Sequence, residues 1–204
     1  METIALFFAD VLFGEATKAA RRRRAAAFAA SYGLRFHSEG RSSDPDASGW
    51  FDELEMLGVP FVQPVVDTFA GPYQGRHVIG FENMLWSKDK RRNVPYRFTA
   101  VRLVRAVPDM LVAEAALPWF GPGALGLPMP VPRSAGRKVT AVDPAAADAV
   151  LAALSSEGPL ERSWMARANW VVTWHRGRLR MRGGDDAASA LRFLSAAADA
   201  CERG

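Results

Sequence analysis

NWVVTWHRGRLRMR, residues 169–182, is the stretch on which the reading of the fold turns. Apolar and polar residues alternate along it, the period of a strand with one buried face. Arg176-Gly177 interrupts the alternation, and glycine second in a short loop favours a type I′ hairpin turn. Pairing His175 with Arg178 sets Trp174 opposite Leu179 and Val172 opposite Met181. Trp170, Val172, Trp174, Leu179 and Met181 then share the buried face, and Val171, Thr173, His175, Arg178, Arg180 and Arg182 the wet one. A one-residue slip would bury three arginines, so the register is strongly specified.

Downstream, Asp185 and Asp186 suit the positive N-terminal end of a closing helix that reaches about Cys201. That helix is expected to bury Ala188, Leu191, Phe193, Leu194 and Ala198. Upstream, a short helix is expected over 159–167, and before it a helix from Pro144 to about Leu154 with Asp143 as its N-cap. Lys138 to Val142 reads as a strand. Residues 118–136, rich in proline and glycine, read as a long loop. Before that loop comes a meander: Val65–Ala70, Arg76–Trp86 with Gly80 as a bulge, Tyr96–Arg105, a turn at Pro108, and Met110–Leu117. Pro72 to Gly75 is a turn signal. A short helix over 48–57 would bury Trp50, Phe51, Leu54 and Leu57, and Leu34–His37 begins the first strand.

The N-terminal 32 residues read as one helix. Ile4, Phe7, Phe8, Val11 and Leu12 recur at helical spacing, an alanine-rich stretch of high helix propensity follows, and Gly33 is a fitting stop. The domain organisation expected is this helix, residues 1–33, followed by a single domain over 34–204. The fold class is α+β: a largely antiparallel sheet of about six to eight strands between a long first helix and a closing last one.

With 204 residues and 49% hydrophobic content, the chain is large enough to bury a core without staples. One cysteine, Cys201, supplies neither an internal disulfide nor a cysteine-based zinc site. The apolar run from Ile4 to Phe13 is too short to span a bilayer, and its basic cluster follows it, against the order of a secretion signal. The cytoplasm is the expected compartment, with peripheral attachment to the inner face of the plasma membrane as a second expectation.

No motif carries recognisable chemistry. His37, His77 and His175 fall in three different strands, none with a second ligand at metal spacing. No phosphate loop or nucleophile elbow occurs, and no cofactor or metal is expected. Asp52, Glu53 and Glu55 are close in sequence, and Asp52 and Glu55 share a helix face, but no histidine lies near them in sequence.

Charge is more informative. The net charge is +4, unevenly spread: residues 39–67 hold seven acids against Arg41, and residues 76–105 eight bases against Glu82 and Asp89. Such segments either steer partners or face each other in the fold. Arg21, Arg22, Arg23 and Arg24 form a collar after the apolar stripe, the arrangement of an interfacial helix with Phe7, Phe8 and Val11 toward lipid and arginines at anionic headgroups. A second basic element joins Arg178, Arg180 and Arg182 to Lys88, Lys90, Arg91 and Arg92. Nucleic-acid binding there would call for exposed aromatics, and the hairpin tryptophans are assigned to the core.

The order of features resembles a family of uncharacterised actinobacterial proteins. The matching pieces are RRRR (21–24), AAAFAASYGLRF (25–36), GRHVIGF (75–81), TAVRLVRAVP (99–108) and residues 169–181. In that family the leading helix often spans the membrane and no activity is assigned. Peripheral attachment is what the resemblance implies here, because the apolar run is short. The function expected is therefore a non-enzymatic interaction module, peripheral to the inner membrane surface or docking a protein partner. The alternatives are nucleic-acid binding through the basic hairpin face and an enzyme with an unrecognised site.

Overall fold

The computed structural model describes residues 2–39, 45–61, 65–87, 90–113, 125–127, 131–132, 138–155, 162–177 and 187–203. In chain order the elements are α1 (Glu2–Ser31), β1 (Arg35–Glu39), α2 (Pro45–Met56), β2 (Val66–Tyr73), β3 (Arg76–Ser87), β4 (Arg92–Ala113), β5 (Val131–Pro132), β6 (Lys138–Ala141), α3 (Pro144–Ser155), β7 (Ser163–Arg176) and α4 (Ala187–Arg203). The strands form one antiparallel sheet in the order β1-β2-β3-β4-β6-β5, with β7 pairing β4. The fold is α+β, opened and closed by helices, as the sequence pattern indicates.

Local chemistry explains where the elements begin and turn. Tyr73 pairs with Arg76 across a two-residue loop, and both Gln74 (φ 48) and Gly75 (φ 77) take the left-handed conformation that a type I′ turn requires. The Asp143 carboxylate accepts the amides of Ala145 and Ala146, each at 3.0 Å, with Pro144 first in α3. This is an N-cap that satisfies amides the helix itself leaves unpaired.

β4 is the spine of the sheet. At 22 residues it runs through Pro108 without turning. Two register shifts against β7, between Arg102 and Val107 and between Val107 and Met110, take up the irregularity instead. The expected turn at Pro108 is thus a bulged bend; proline is tolerated there because a bulge interrupts the ladder it cannot join. Residues 114–117 of the expected fourth strand lie outside the described residues. The expected short helix over 159–167 is also corrected: β7 begins at Ser163, and residues 159–161 are not among those described. Met165 and Trp164 pair with Leu111 and Val112 and point to opposite faces, each filled, so strand geometry buries both.

Two cores lie on the two faces. On one, Phe69, Val78, Val101, Val112, Trp164 and Val171 meet Phe28 and Ala29 of α1, Leu154 of α3 and Leu191 and Leu194 of α4. On the other, Ile79, Phe81, Phe98, Trp170, Val172 and Trp174 meet Trp50, Phe51 and Leu54 of α2 and Leu125. Phe61, Phe81 and Phe98 stack in a row, with centroids 5.1 and 5.3 Å apart. Each large side chain fully buried in this way contributes about 1.5–3 kcal/mol.

This double cover corrects the one-sided reading of β7. Trp170, Val172 and Trp174 are buried as expected, but so are Val171 and Thr173 on the supposedly wet face; only His175 and Arg176 at its end are exposed. The described partner of β7 is β4 along its whole length. The pairing of His175 with Arg178, and with it Leu179 and Met181, lies outside the described residues.

Gly80 is not a bulge. It pairs in register with Phe69 and Thr99. A Cβ there would lie 2.1 Å from Cζ of Phe69, whose ring occupies that space. The irregularity sits in the partner strand, between Val66 and Phe69, where Asp67 takes φ 51.

Candidate functional site

The arginine collar divides in two. The Arg21 guanidinium lies 2.6 Å from the Asp67 carboxylate and 3.4 Å from that of Glu82. Arg22 lies 3.6 Å from Asp67 and donates to the Ser38 carbonyl at 3.3 Å. Both acids are nearly inaccessible, at 2% exposure each. A buried carboxylate needs a counter-charge, because removing it from water costs several kcal/mol. The first two arginines therefore fasten α1 to the sheet, one on each side of Asp67's irregular strand position. Arg23 and Arg24, turned onward by the 100° helical step, are exposed. Ala25, Phe28 and Ala29 complete the seam, with Phe28 edge-on to Phe69 at 5.6 Å. The side chains of Phe7, Phe8 and Val11 lie outside those described.

The second basic element gathers at the tip of the β3–β4 hairpin. Ser87 pairs with Arg92 to close it, and Arg91 takes φ 47 in the loop. Lys90, Arg91 and Arg92 are exposed. Beside them stands Trp86, 52% exposed and opposite Asn93. The end of β7 is tied to this tip: Arg176 donates to the Ser87 hydroxyl at 3.0 Å, and the Gly177 amide to the Pro95 carbonyl at 2.8 Å. Lys88, Arg178, Arg180 and Arg182 lie outside the described residues. Sequence reading picked out these cations and missed Trp86, which it counted as a strand end. Only the hairpin register shows that residue to be outside the core.

The acidic and basic segments do face each other in part. Glu53 of α2 accepts a hydrogen bond from Trp170 Nε1 at 2.8 Å and an ion pair from Arg102 at 3.2 Å, with that guanidinium 6.0 Å from the Trp170 ring centroid. Glu53 thus latches α2 onto the sheet, while Asp52 and Glu55 are exposed. On the α4 side of the sheet, Arg76 joins Asp199 at 2.7 Å and Glu202 at 2.5 Å. Burial works against its charge, but the two carboxylates outweigh it and raise its pKa.

The histidines stay apart. His37 lies in β1, His175 ends β7, and His77 packs on Trp50 with ring centroids 5.1 Å apart. Trp50 and His77 line an open groove of about 390 Å³ with Arg35, Gly71 and Pro72. Its size suits a small ligand, and among the described residues its lining holds no carboxylate, thiol or hydroxyl. The Trp170 and Trp174 indoles lie in the core instead. Cys201 borders a smaller cavity of about 120 Å³ with Val107, Pro108, Met110 and Val150. Burial, with a smaller contribution from Glu202, pushes its thiol up to about 12, which makes it a poor nucleophile. Among the described residues no three His, Cys, Asp or Glu side chains come together as metal ligands. Among them, too, no helix is long and apolar enough to cross a membrane.

No family model and no curated protein matches the sequence. Among solved structures, the chain is similar to the crystal structure of the mycobacterial trehalose monomycolate transport factor A, TtfA. The TM-score is 0.56 at 14% identity, over 88% of this chain and 93% of that one. At that identity the likeness is one of fold.

Proposed function

We propose that this chain is a non-enzymatic interaction module held at an anionic membrane surface, where it serves a protein partner in transport. The observation that carries the reading is the fold shared over most of both chains with a protein named as a transport factor. Two features support it. Both sheet faces are filled by core, and among the described residues the groove beside His77 brings together no acid–base pair or nucleophile. The cations free to meet an anionic surface, Arg23, Arg24, Lys90, Arg91 and Arg92, are exposed.

Flotation with phosphatidylglycerol-containing vesicles tests the membrane half of this reading. The structure dictates the truncation. A chain starting at Ala25 would strip the buried Asp67 and Glu82 of Arg21 and Arg22, whereas one starting at Thr17 keeps the clamp and removes the apolar stripe. The full chain is expected to float in a salt-sensitive way and the Thr17 chain to stay largely behind. Equal recovery of the two refutes the helix as anchor.

A further inference from the structure

We propose that the tip of the β3–β4 hairpin, Trp86 with Lys90, Arg91 and Arg92, is a second contact with the anionic lipid surface, on the same end of the molecule as the apolar start of α1. The inference rests on the membrane reading above but concerns a different element. The direction of α1 follows from its contacts. Phe28 meets Phe69, which pairs with Gly80, while Arg21 meets Asp67 and Glu82. From Phe28 to Arg21 the helix therefore advances along β3 from Gly80 toward Ser87. Seven helical residues cover about 10 Å, and the matching step from Gly80 to Glu82 on β3 covers about 7 Å, so the helix runs in that direction but inclined to the strands.

Glu82 to Trp86 is a further ~13 Å of strand, which at that inclination takes about thirteen residues of helix. A straight α1 thus draws level with Trp86 near residue 8. Its first eight or so residues, which include Ile4, Phe7 and Phe8, lie at or beyond the level of Trp86.

The chemistry at that end is what an anionic interface selects. Residues 88–92 carry four bases against Asp89, a net +3. Arg176 adds a cation at the foot of the tip. Trp86 is the one large aromatic side chain among the exposed large hydrophobics of the described residues. Tryptophan settles at headgroup depth, its ring half in hydrocarbon, and basic residues near the surface add attraction to anionic lipid. A strand of nucleic acid would use a row of stacking aromatics. Here the described tip offers a single exposed indole, and α1 directs its apolar start toward the same end, which favours lipid.

The test uses the full chain with three sets of substitutions: Trp86→Ser; Arg91→Gln with Arg92→Gln; and Glu55→Gln as a control on the far face. Partition is measured onto phosphatidylcholine vesicles with and without phosphatidylglycerol, and affinity for a single-stranded oligonucleotide is measured in parallel. Each variant is first checked for native melting. The double arginine variant is expected to lose about thirtyfold in partition onto phosphatidylglycerol vesicles. Trp86→Ser should lose partition as well, and Glu55→Gln none. If the native chain floats and both tip variants float equally well, the tip is not a contact, while the helix reading survives. If the native chain does not float at all, both readings fail. If the tip variants lose oligonucleotide affinity but keep vesicle partition, the tip serves nucleic acid and the proposal is overturned.

Discussion

Replacing Arg21 with methionine separates the two roles that an arginine cluster can play. The substitution keeps the stem that packs along α1 and removes the charge. Asp67 then retains only Arg22, at 3.6 Å, and Glu82 loses its contact at 3.4 Å, with both acids buried. Leaving buried carboxylates without their partner costs about 3–5 kcal/mol. The guanidinium is 19% exposed and Arg22 remains in place, which puts the loss at the lower end, about 3 kcal/mol. For a chain of this size that lowers Tm by about 6–12 °C. Arg24→Met, on an exposed residue, should leave Tm unchanged. Urea melts give the comparison directly, and a double-mutant cycle with Asp67→Asn should show strong coupling for Arg21 and none for Arg24. Equal melts for Arg21→Met and the native chain would refute the clamp, and so would equal losses at Arg21 and Arg24.

Three further outcomes are expected. Gly80→Ala places a methyl group on the Phe69 ring and should cost about 1–3 kcal/mol; pairing it with Phe69→Leu should recover part of the loss in thermal melts. Glu53→Ala leaves Trp170 Nε1 unpaired in the core and frees Arg102. About 1–3 kcal/mol of stability should go in urea melts, and an unchanged melt would refute the latch. The Cys201 thiol, raised to about 12 from 9.0 by burial, should resist alkylation at pH 8–9 unless the chain is unfolded. Because its folded value lies above its unfolded one, stability from this group is intact below pH 9 and falls as pH rises toward 12. Rapid alkylation of the native chain at pH 8 would contradict the buried placement.

What the sequence made legible was local. The Asp143-Pro144 cap, the Gln74-Gly75 turn, the apolar stripe of α2 and the strand period of β7 are written in neighbouring residues. What it hid was which surfaces meet. Thr173 and His175 give β7 a polar face, and nothing nearby says that α4 lies over Val171 and Thr173. Pro108 looks like a turn because the bulge that accommodates it needs β7 as partner. Glycine at 80 suggests a bulge until the Phe69 ring is seen to occupy its space. Among the candidate residues, the run from Arg21 to Arg24 reads as one unit, and only Asp67 and Glu82, more than forty positions away, divide it into a fastened pair and an exposed pair. Trp86 is the converse case. Its type predicts burial, and its place at the end of a hairpin exposes it.

Hydrogen exchange of the full chain, with and without phosphatidylglycerol-containing vesicles, addresses the membrane-facing end as a whole. Exchange should slow over residues 2–16 and 86–92 together and stay unchanged over α2. Unaltered exchange at both segments, or slowing confined to the groove around Trp50 and His77, would contradict the account.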